Sequence, residues 1–153
     1  MKTCKHVSDA AGSATHDLIT TVPGLVTAVI AALAIQAGGL CHLATVCTSF
    51  VFINSGTHGR CMAIPEGWRE YSPEYMQIGT CLAARSAILA LIAWCMGAIW
   101  VLEQPSSSCM LYLTSWQVII RWFSEKVSQG WCNATVLRNS VFMASSRLSL
   151  IHI

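Results

Sequence analysis

Two reactive side chains lie where strand-like apolar runs of the sequence end. Cys47 closes the half-apolar run 40–47, and Glu103 directly follows the apolar run 98–102. If these runs are neighbouring parallel strands, their carboxyl ends meet at one crevice, where open α/β sheets place ligands. A thiol and a carboxylate in such a crevice could add a nucleophile to a substrate with acid assistance.

Glu103 is the only charged residue in the span 86–120. A carboxylate in so apolar a setting needs water, a proton or a partner. The alternative to catalysis is therefore a structural carboxylate that caps or pairs, with Arg85 or Arg60 as the partner. Cys47 has the matching alternative of an inert core thiol, since no cation lies next to it in the sequence to lower its pKa.

Four further polar residues are candidates for a binding role, and each could instead have a purely structural role. Ser106 opens a serine cluster after a proline, which is also typical of a turn. The glycine-rich segment 54–71 is polar, as functional loops are. The candidate binding residues are Asp17, Ser49, Arg60 and Ser106.

Local patterns predict the elements that must position these groups. A cap at Thr20 or Thr21, followed by Pro23, and a stop at Gly38 define the first helix. Ser72 caps the second, which Gly97 ends. The predicted elements are a helix over 17–37, a strand over 40–47, a loop over 54–71, a helix over 72–96, a strand over 98–102 and a helix over 116–127. This order predicts an α/β fold with parallel strands and crossover helices.

The composition is unusually apolar for a chain of 153 residues. Charged residues are 10% and apolar residues 54%, with a net charge of +2, so there is no strong signal for nucleic acid. The alternative to a domain is a small integral membrane protein with helices near 22–39 and 84–102. The polar stretch 1–17 precedes the first apolar run, which favours an intracellular protein over a secreted one.

The eight cysteines form no C-x-x-C pair, which favours reduced thiols over zinc or disulfides. His42 beside Cys41 and His58 near Cys61 are weak metal hints without the paired spacing of zinc sites. No glycine-rich phosphate loop follows a predicted strand, and no Walker lysine is present. The sequence therefore predicts neither a metal nor a nucleotide cofactor.

Two segments carry a resemblance to a known family. The main segments are Val46-Cys47-Thr48-Ser49-Phe50-Val51-Phe52-Ile53-Asn54-Ser55-Gly56-Thr57 and Trp100-Val101-Leu102-Glu103-Gln104-Pro105-Ser106-Ser107-Ser108, together with Asp17-Leu18-Ile19-Thr20, Gly24, Gly38-Gly39-Leu40 and Arg60. With these residues the chain resembles, over roughly 16–125, a family of uncharacterised dinoflagellate proteins. That family is remotely similar to cytosine-C5 DNA methyltransferase-like proteins.

The resemblance implies a role for each reactive residue. Cys47 would be the nucleophile that attacks the base, and Glu103 would hold the base edge. The chain departs from the pattern, since Val46 replaces a proline, Gln104 replaces an asparagine, and the loop that binds S-adenosylmethionine is absent. Methyl transfer would therefore need a missing N-terminal half to supply the cofactor site.

The leading expectation is a truncated, non-catalytic, methyltransferase-like domain. Its fold would be a partial Rossmann-like sheet of two or three parallel strands with covering helices, and its exposed apolar area would require a protein partner or the missing half. A base-modifying fragment that uses Cys47 and Glu103 is the catalytic alternative. The expected organisation is a flexible lead at 1–15, one domain at 16–130 and a poorly ordered tail at 131–153.

Overall fold

The computed structural model describes residues 21–68, 73–105 and 107–129, together with two short strands further on. The protein has a mixed α/β fold in which strands β1 (Leu40–Leu43) and β2 (Ile99–Glu103) pair in parallel. The chain connects them through helix α3 (Glu74–Cys95), as a β-α-β unit requires. The expected parallel pairing of the two apolar runs is confirmed.

Helix α1 (Val22–Leu33) begins after the predicted cap Thr21 and ends earlier than predicted, while residues 17–20 of the predicted helix lie outside the described residues. The Thr21 hydroxyl accepts a hydrogen bond from the Gly24 N–H at 3.1 Å, which satisfies one of the free donors of the first turn. The predicted helix continued to Ala37, but the chain leaves the helix at Ala34 and turns into β1 through Gly38.

Strand β1 ends at Leu43, four residues short of the prediction. The following residues do not continue the ladder because their polar groups bond side chains instead: the Thr45 carbonyl accepts from Gln104 and its hydroxyl bonds Ser86. The chain then turns through 48–50, forms a 3₁₀ turn at Phe52–Asn54 and a short helix α2 (Ser55–His58). The predicted loop over 54–71 therefore starts with a helical turn.

Helix α3 has 22 residues and is the central helix of the molecule. Its end matches the prediction: Met96 is the C-cap, and Gly97 takes a left-handed φ of 72°, which glycine adopts at little cost. Pro73 lies at the N-cap, and the predicted cap Ser72 lies outside the described residues. Strand β2 follows and includes Glu103 as its last residue.

Helix α4 (Thr114–Ser128) packs against α3 and closes the core. It begins two residues before the predicted start. Three fully buried rings hold the helical layer to β2: the Trp100 ring centroid lies 5.8 Å from Trp116 and 5.7 Å from Phe123. Offset aromatic pairs at such distances add to the free energy of burial.

The sheet continues beyond β2 with two short strands. Strand β3 (Phe142–Met143) pairs with β2 in parallel, and β4 (Leu150–Ile151) pairs with β3 antiparallel. The strand order is therefore β1-β2-β3-β4. Strands β3 and β4 both fall within 131–153, the segment predicted to be the tail. The other residues of the predicted tail, and the predicted lead at 1–15, lie outside the described residues.

Neither of the two segments expected to span a membrane forms one continuous helix. Helix α1 covers only the first part of 22–39, and 84–102 contains the end of α3, a turn and β2. In the described part of the chain, one helix, α3, is long and apolar enough to cross a membrane by length and composition. Core helices of soluble proteins meet the same criterion, and 44% of its most apolar window is buried inside the molecule.

Candidate functional site

The carboxyl ends of β1 and β2 are joined by four buried polar side chains. The Gln104 amide donates to the Thr45 carbonyl at 2.7 Å and accepts from the Ser108 hydroxyl at 2.9 Å. The Thr45 hydroxyl lies 2.7 Å from that of Ser86 on α3. We call Thr45, Ser86, Gln104 and Ser108 the strand-exit network. It occupies the place where a parallel sheet presents ligand-binding groups, and its members bond one another.

Glu103 points to the other side of the sheet. Its carboxylate lies 3.5 Å from the imidazole of His42, and both side chains are partly exposed. The register pairs His42 with Val101, which lies two residues before Glu103, so strand alternation places all three on one face. Glu103, the carboxylate that the sequence predicts to need a partner, therefore pairs with His42 of the neighbouring strand.

The structure separates the environments of Cys47 and Glu103. Cys47 lies in the turn after β1, where its carbonyl accepts from the Phe50 N–H at 2.8 Å and its thiol is half-buried. No hydrogen bond or ion pair among the described residues joins its side chain to Glu103. The catalytic pairing of these two residues remains a prediction.

Ser49 and Arg60, both predicted to bind, are buried against the first turns of α3. Arg60 donates to the carbonyls of Pro65 and Met76 at 3.1 and 2.9 Å and to the Thr80 hydroxyl at 2.9 Å. Its guanidinium carbon lies 4.3 Å from the centroid of the Phe50 ring. These bonds tie the loop after α2 to α3, so Arg60 acts as an internal anchor.

Three buried polar atoms around Arg60 have no hydrogen-bond partner among the described residues: Ser49 Oγ in the turn before α2, His58 Nε2 in α2 and Arg60 Nε in the loop after it. We call Ser49, His58 and Arg60 the Arg60 cluster. The backbone packs closely around it, since a Cβ at Gly79 would meet Ser49 Oγ and one at Gly59, where φ is 66°, would meet the Trp68 ring. Tight packing without partners is costly for polar groups.

Burial shapes the protonation of this cluster. Burial lowers the pKa of the Arg60 guanidinium, and it also lowers the pKa of His58, which the Arg60 charge lowers further. Burial raises the pKa of the Cys109 thiol, against the pull of Arg60. Burial alone would raise the pKa of Glu66, but hydrogen bonds from its own backbone and from Thr114 lower it overall. Burial therefore holds the Cys109 thiol protonated despite the nearby cation.

The remaining predicted residues form no further site within the described part of the chain. Asp17 and Ser106 lie outside the described residues. The six cysteines within them are free thiols. No group of three or more histidine, cysteine, aspartate or glutamate side chains in the described ranges is placed to hold a metal ion.

Two polar residues of the site are not among the residues that the sequence predicts to act there. Gln104 enters the sequence analysis only as a departure from a family motif, and His42 only as a weak metal hint. The signal for His42 was the parallel pairing itself: a register that sets Leu40 opposite Ile99 puts His42 and Glu103 on one face. The signal for Gln104 was its position one residue after Glu103, which turns it to the opposite face.

Comparisons with protein-family models, with curated proteins and with solved structures find no match to this chain.

Proposed function

We propose that this protein is a non-catalytic α/β binding module that recognises a helical protein partner. The partner covers the side of the sheet that its own helices leave exposed. That side carries Leu40, His42, Ile99, Val101 and Glu103, which we call the open sheet face. The module corresponds to half of a methyltransferase-like Rossmann sheet, and the partner takes the place of the other half.

One observation carries the proposal: burial alternates along both parallel strands. Trp100 and Leu102 of β2 are fully buried beneath the helices, whereas Ile99 and Val101 are only partly covered and Leu40 is half-exposed. Parallel sheets occur almost only with both faces covered, because the crossover helices pack on each side. Among the described residues no layer covers this apolar face, so it is the place where a partner gains most from binding.

The chemistry of the face indicates the kind of partner. Leu40, Ile99 and Val101 offer an apolar strip about two strands wide, which fits one α-helix laid on the sheet. At its carboxyl end the strip carries the polar side chains of His42 and Glu103, which complement a polar side chain on that helix. The partner we propose is an amphipathic helix of another polypeptide, with an apolar stripe and a polar residue at one end.

The strand-exit network supports a role without catalysis. Gln104 and Thr45 use their polar atoms on each other and on Ser108, in the place where a substrate would need them. Glu103 is engaged by His42 on the open sheet face. Base modification by Cys47 and Glu103 is the competing proposal, and it requires a binding site for S-adenosylmethionine. We expect no binding of S-adenosylmethionine to this chain by isothermal titration calorimetry.

The test places a photo-crosslinking amino acid at Val101 in cells that produce the protein, with Val118 on the exposed side of α4 as the control. We expect a discrete adduct at position 101 in which the attached peptide comes from an amphipathic helix of another protein. The same peptide, made synthetically, should bind the wild-type chain and lose at least tenfold in affinity for Val101→Lys but not for Val118→Lys.

Three results would count against the proposal: no adduct at position 101, equal adducts at both positions, or a peptide that binds Val101→Lys as well as the wild type. If Val101→Lys fails to fold, Leu40→Lys replaces it, because the Leu40 side chain is already half-exposed.

Membrane association is a second candidate because α3 has the length and apolar composition of a spanning helix. A spanning α3 would stay in the membrane pellet after carbonate extraction of expressed protein. Release into the soluble fraction would contradict that candidate and leave the binding module unaffected.

A further inference from the structure

Helix α1 has an outer surface that the proposed function does not use. It packs along α3 through small residues, since Gly24 and Ala32 are its buried positions. Four large aliphatic side chains point outward instead, and each is more than half exposed. They are Val22, Val26, Ile30 and Leu33. Spacings of three and four residues place these side chains on one side of the helix, so they form a continuous apolar strip, which we call the α1 stripe.

The outer side of α1 has no side chain that needs water. The helix contains no charged or amide residue, and the sequence has no lysine, arginine, aspartate or glutamate from 18 to 59. Thr27 carries the one hydroxyl of the helix, and this hydroxyl donates to the Pro23 carbonyl at 3.0 Å. Such a bond to the carbonyl four residues earlier satisfies a threonine within its own helix. The outer side of α1 can therefore lose its water without leaving a polar side chain unbonded.

Helix α4 provides a comparison within the same molecule. Among its described side chains, the exposed ones are mostly polar, as is typical of a helix whose outer side faces water. They are Thr114, Gln117, Val118, Arg121, Ser124, Glu125 and Ser128. Val118 is the one apolar residue in that set, whereas the exposed side of α1 is apolar along its whole length. The surface of α1 is thus adapted to a medium other than water.

The dimensions and chemistry of α1 favour the surface of a lipid bilayer as that medium. A helix of 12 residues is about 18 Å long, which is too short to cross a hydrocarbon layer of about 30 Å. Apolar helices of this length belong to a core or lie in the plane of a membrane surface, and only two residues of α1 are buried. A protein partner fits less well, because protein interfaces carry roughly one hydrogen bond per 100–200 Å² and the α1 stripe offers none.

We infer that α1 lies in the plane of a bilayer surface, with the α1 stripe among the acyl chains of uncharged phospholipid. Because no basic side chain lies on α1 or in the flanking sequence up to 59, the binding depends on buried apolar area and not on anionic lipid. Helix α1 packs on α3, on the other side of the sheet from the open sheet face. The membrane and the helical partner therefore occupy different surfaces, and the membrane site does not rest on the proposed function.

Flotation of the full chain with phosphatidylcholine vesicles measures this binding. We expect the wild type to float, and we expect Ile30→Glu to lower the partition coefficient by about tenfold or more. The new carboxylate lies in the middle of the α1 stripe and, unlike a lysine, is too short to reach back to water. The matched control is Val118→Glu, which adds the same charge at a similarly exposed residue of α4 and should change the partition coefficient by less than about twofold.

Circular dichroism of each variant checks that it folds. If Ile30→Glu does not fold, Val22→Glu replaces it, because the Val22 side chain is the more exposed of the two. Wild-type protein that does not float, or equal losses for Ile30→Glu and Val118→Glu, would overturn the inference. A spanning α3 would keep Ile30→Glu with the vesicles as firmly as the wild type, and that result would overturn it as well.

Photo-crosslinking in cells distinguishes lipid from protein as the occupant. A photo-crosslinking amino acid at Ile30 should give a chain whose intact mass increases by that of one phospholipid, and the same amino acid at Val118 should not. An adduct of position 30 with another polypeptide, or with a second copy of this chain, would overturn the inference.

Salt and lipid charge test the mechanism of binding. The partition coefficient on phosphatidylcholine should change by less than about twofold between about 0.1 and 0.5 M NaCl, because no charge pair contributes to it. Binding that appears only with anionic phosphatidylserine, or that salt abolishes, would overturn the inference. A negative result in these experiments leaves the proposed function standing, because the open sheet face is tested by crosslinking at Val101 and by Val101→Lys.

Discussion

The strand-exit network and the Arg60 cluster are both buried and polar, yet they satisfy their hydrogen bonds to different degrees. Gln104 uses both ends of its amide and Ser86 bonds Thr45. In the Arg60 cluster, by contrast, Ser49, His58 and Arg60 each retain a buried atom without a partner. The side chains of the strand-exit network are therefore held by hydrogen bonds to one another, whereas the loop after α2 is held to α3 mainly by one side chain, that of Arg60.

The largest expected effect comes from Arg60→Met, which should lower the free energy of unfolding by about 3 kcal/mol in denaturant titration. The substitution removes the side-chain donor to the Pro65 carbonyl and the contact with the Phe50 ring, and it leaves the Met76 carbonyl with the bond from the Thr80 hydroxyl alone among its side-chain donors. Arg60→Lys should lose nearly as much, because an ammonium cannot reproduce the planar fork. A loss under about 1 kcal/mol would mean that packing of the loop, and not Arg60, holds it to α3.

Gln104→Leu should have the next largest effect, a loss of about 2 kcal/mol in the free energy of unfolding. The substitution removes the amide that donates to the Thr45 carbonyl and accepts from the Ser108 hydroxyl in a buried setting. The matched control is Gln117→Leu. The Gln117 amide also donates to a carbonyl, that of Leu111 at 2.7 Å, but on the surface, so its removal should cost less than about 0.5 kcal/mol. Equal losses would show that burial does not strengthen the network.

The sequence predicted the elements around these two regions better than the regions themselves. Gly97, with its left-handed φ, marks the end of α3 as a local signal can. Run 98–102 was recognised as a strand by its β-branched and aromatic residues, and its pairing with β1 follows from β-α-β connectivity. Local patterns of this kind need no knowledge of contacts distant in sequence.

The contacts that define the site are long-range, and no spacing encodes them. Gln104 bonds Thr45 across 59 positions of sequence, and Arg60 bonds Thr80 across 20. Strand β1 ended early for the same reason, since the Thr45 backbone bonds a side chain from another segment. Likewise, the Glu103 partner turned out to be His42 because of a register that only the folded sheet fixes.

A smaller effect isolates the difference in bonding between the two regions. Ser86 and Ser49 are both buried serines, but only the Ser86 hydroxyl has a partner. Ser86→Ala should cost about 1 kcal/mol, because the Thr45 hydroxyl loses its bond. Ser49→Ala should be neutral or stabilising by up to about 1 kcal/mol, since it removes a desolvated hydroxyl that bonds nothing. Thermal unfolding of the two variants side by side checks the sign, and a comparable loss for Ser49→Ala would mean that its hydroxyl is bonded in solution.

The smallest effect is a dependence of stability on pH that arises in the Arg60 cluster alone. His58 Nδ1 accepts a hydrogen bond from the Arg60 backbone N–H at 3.1 Å, so the neutral ring carries its proton on Nε2. Burial first, and then the Arg60 charge, lower the pKa of His58 below its ordinary value near 6.5. At pH values near and below this ordinary pKa, His58 binds a proton more readily in the unfolded chain than in the folded chain.

The stability that depends on neutral His58 is therefore fully present above the ordinary pKa. It is lost as the pH falls from there towards the lower pKa of the folded state. His58→Asn keeps an acceptor for the Arg60 N–H but does not titrate. The free energy of unfolding of the wild type, measured against that of His58→Asn from about pH 7.5 to pH 5, should decline as acid is added. A difference that stays constant over this range would mean that His58 reaches solvent in the folded protein, and the contrast between the two buried regions would then rest on Ser49 and Arg60 alone.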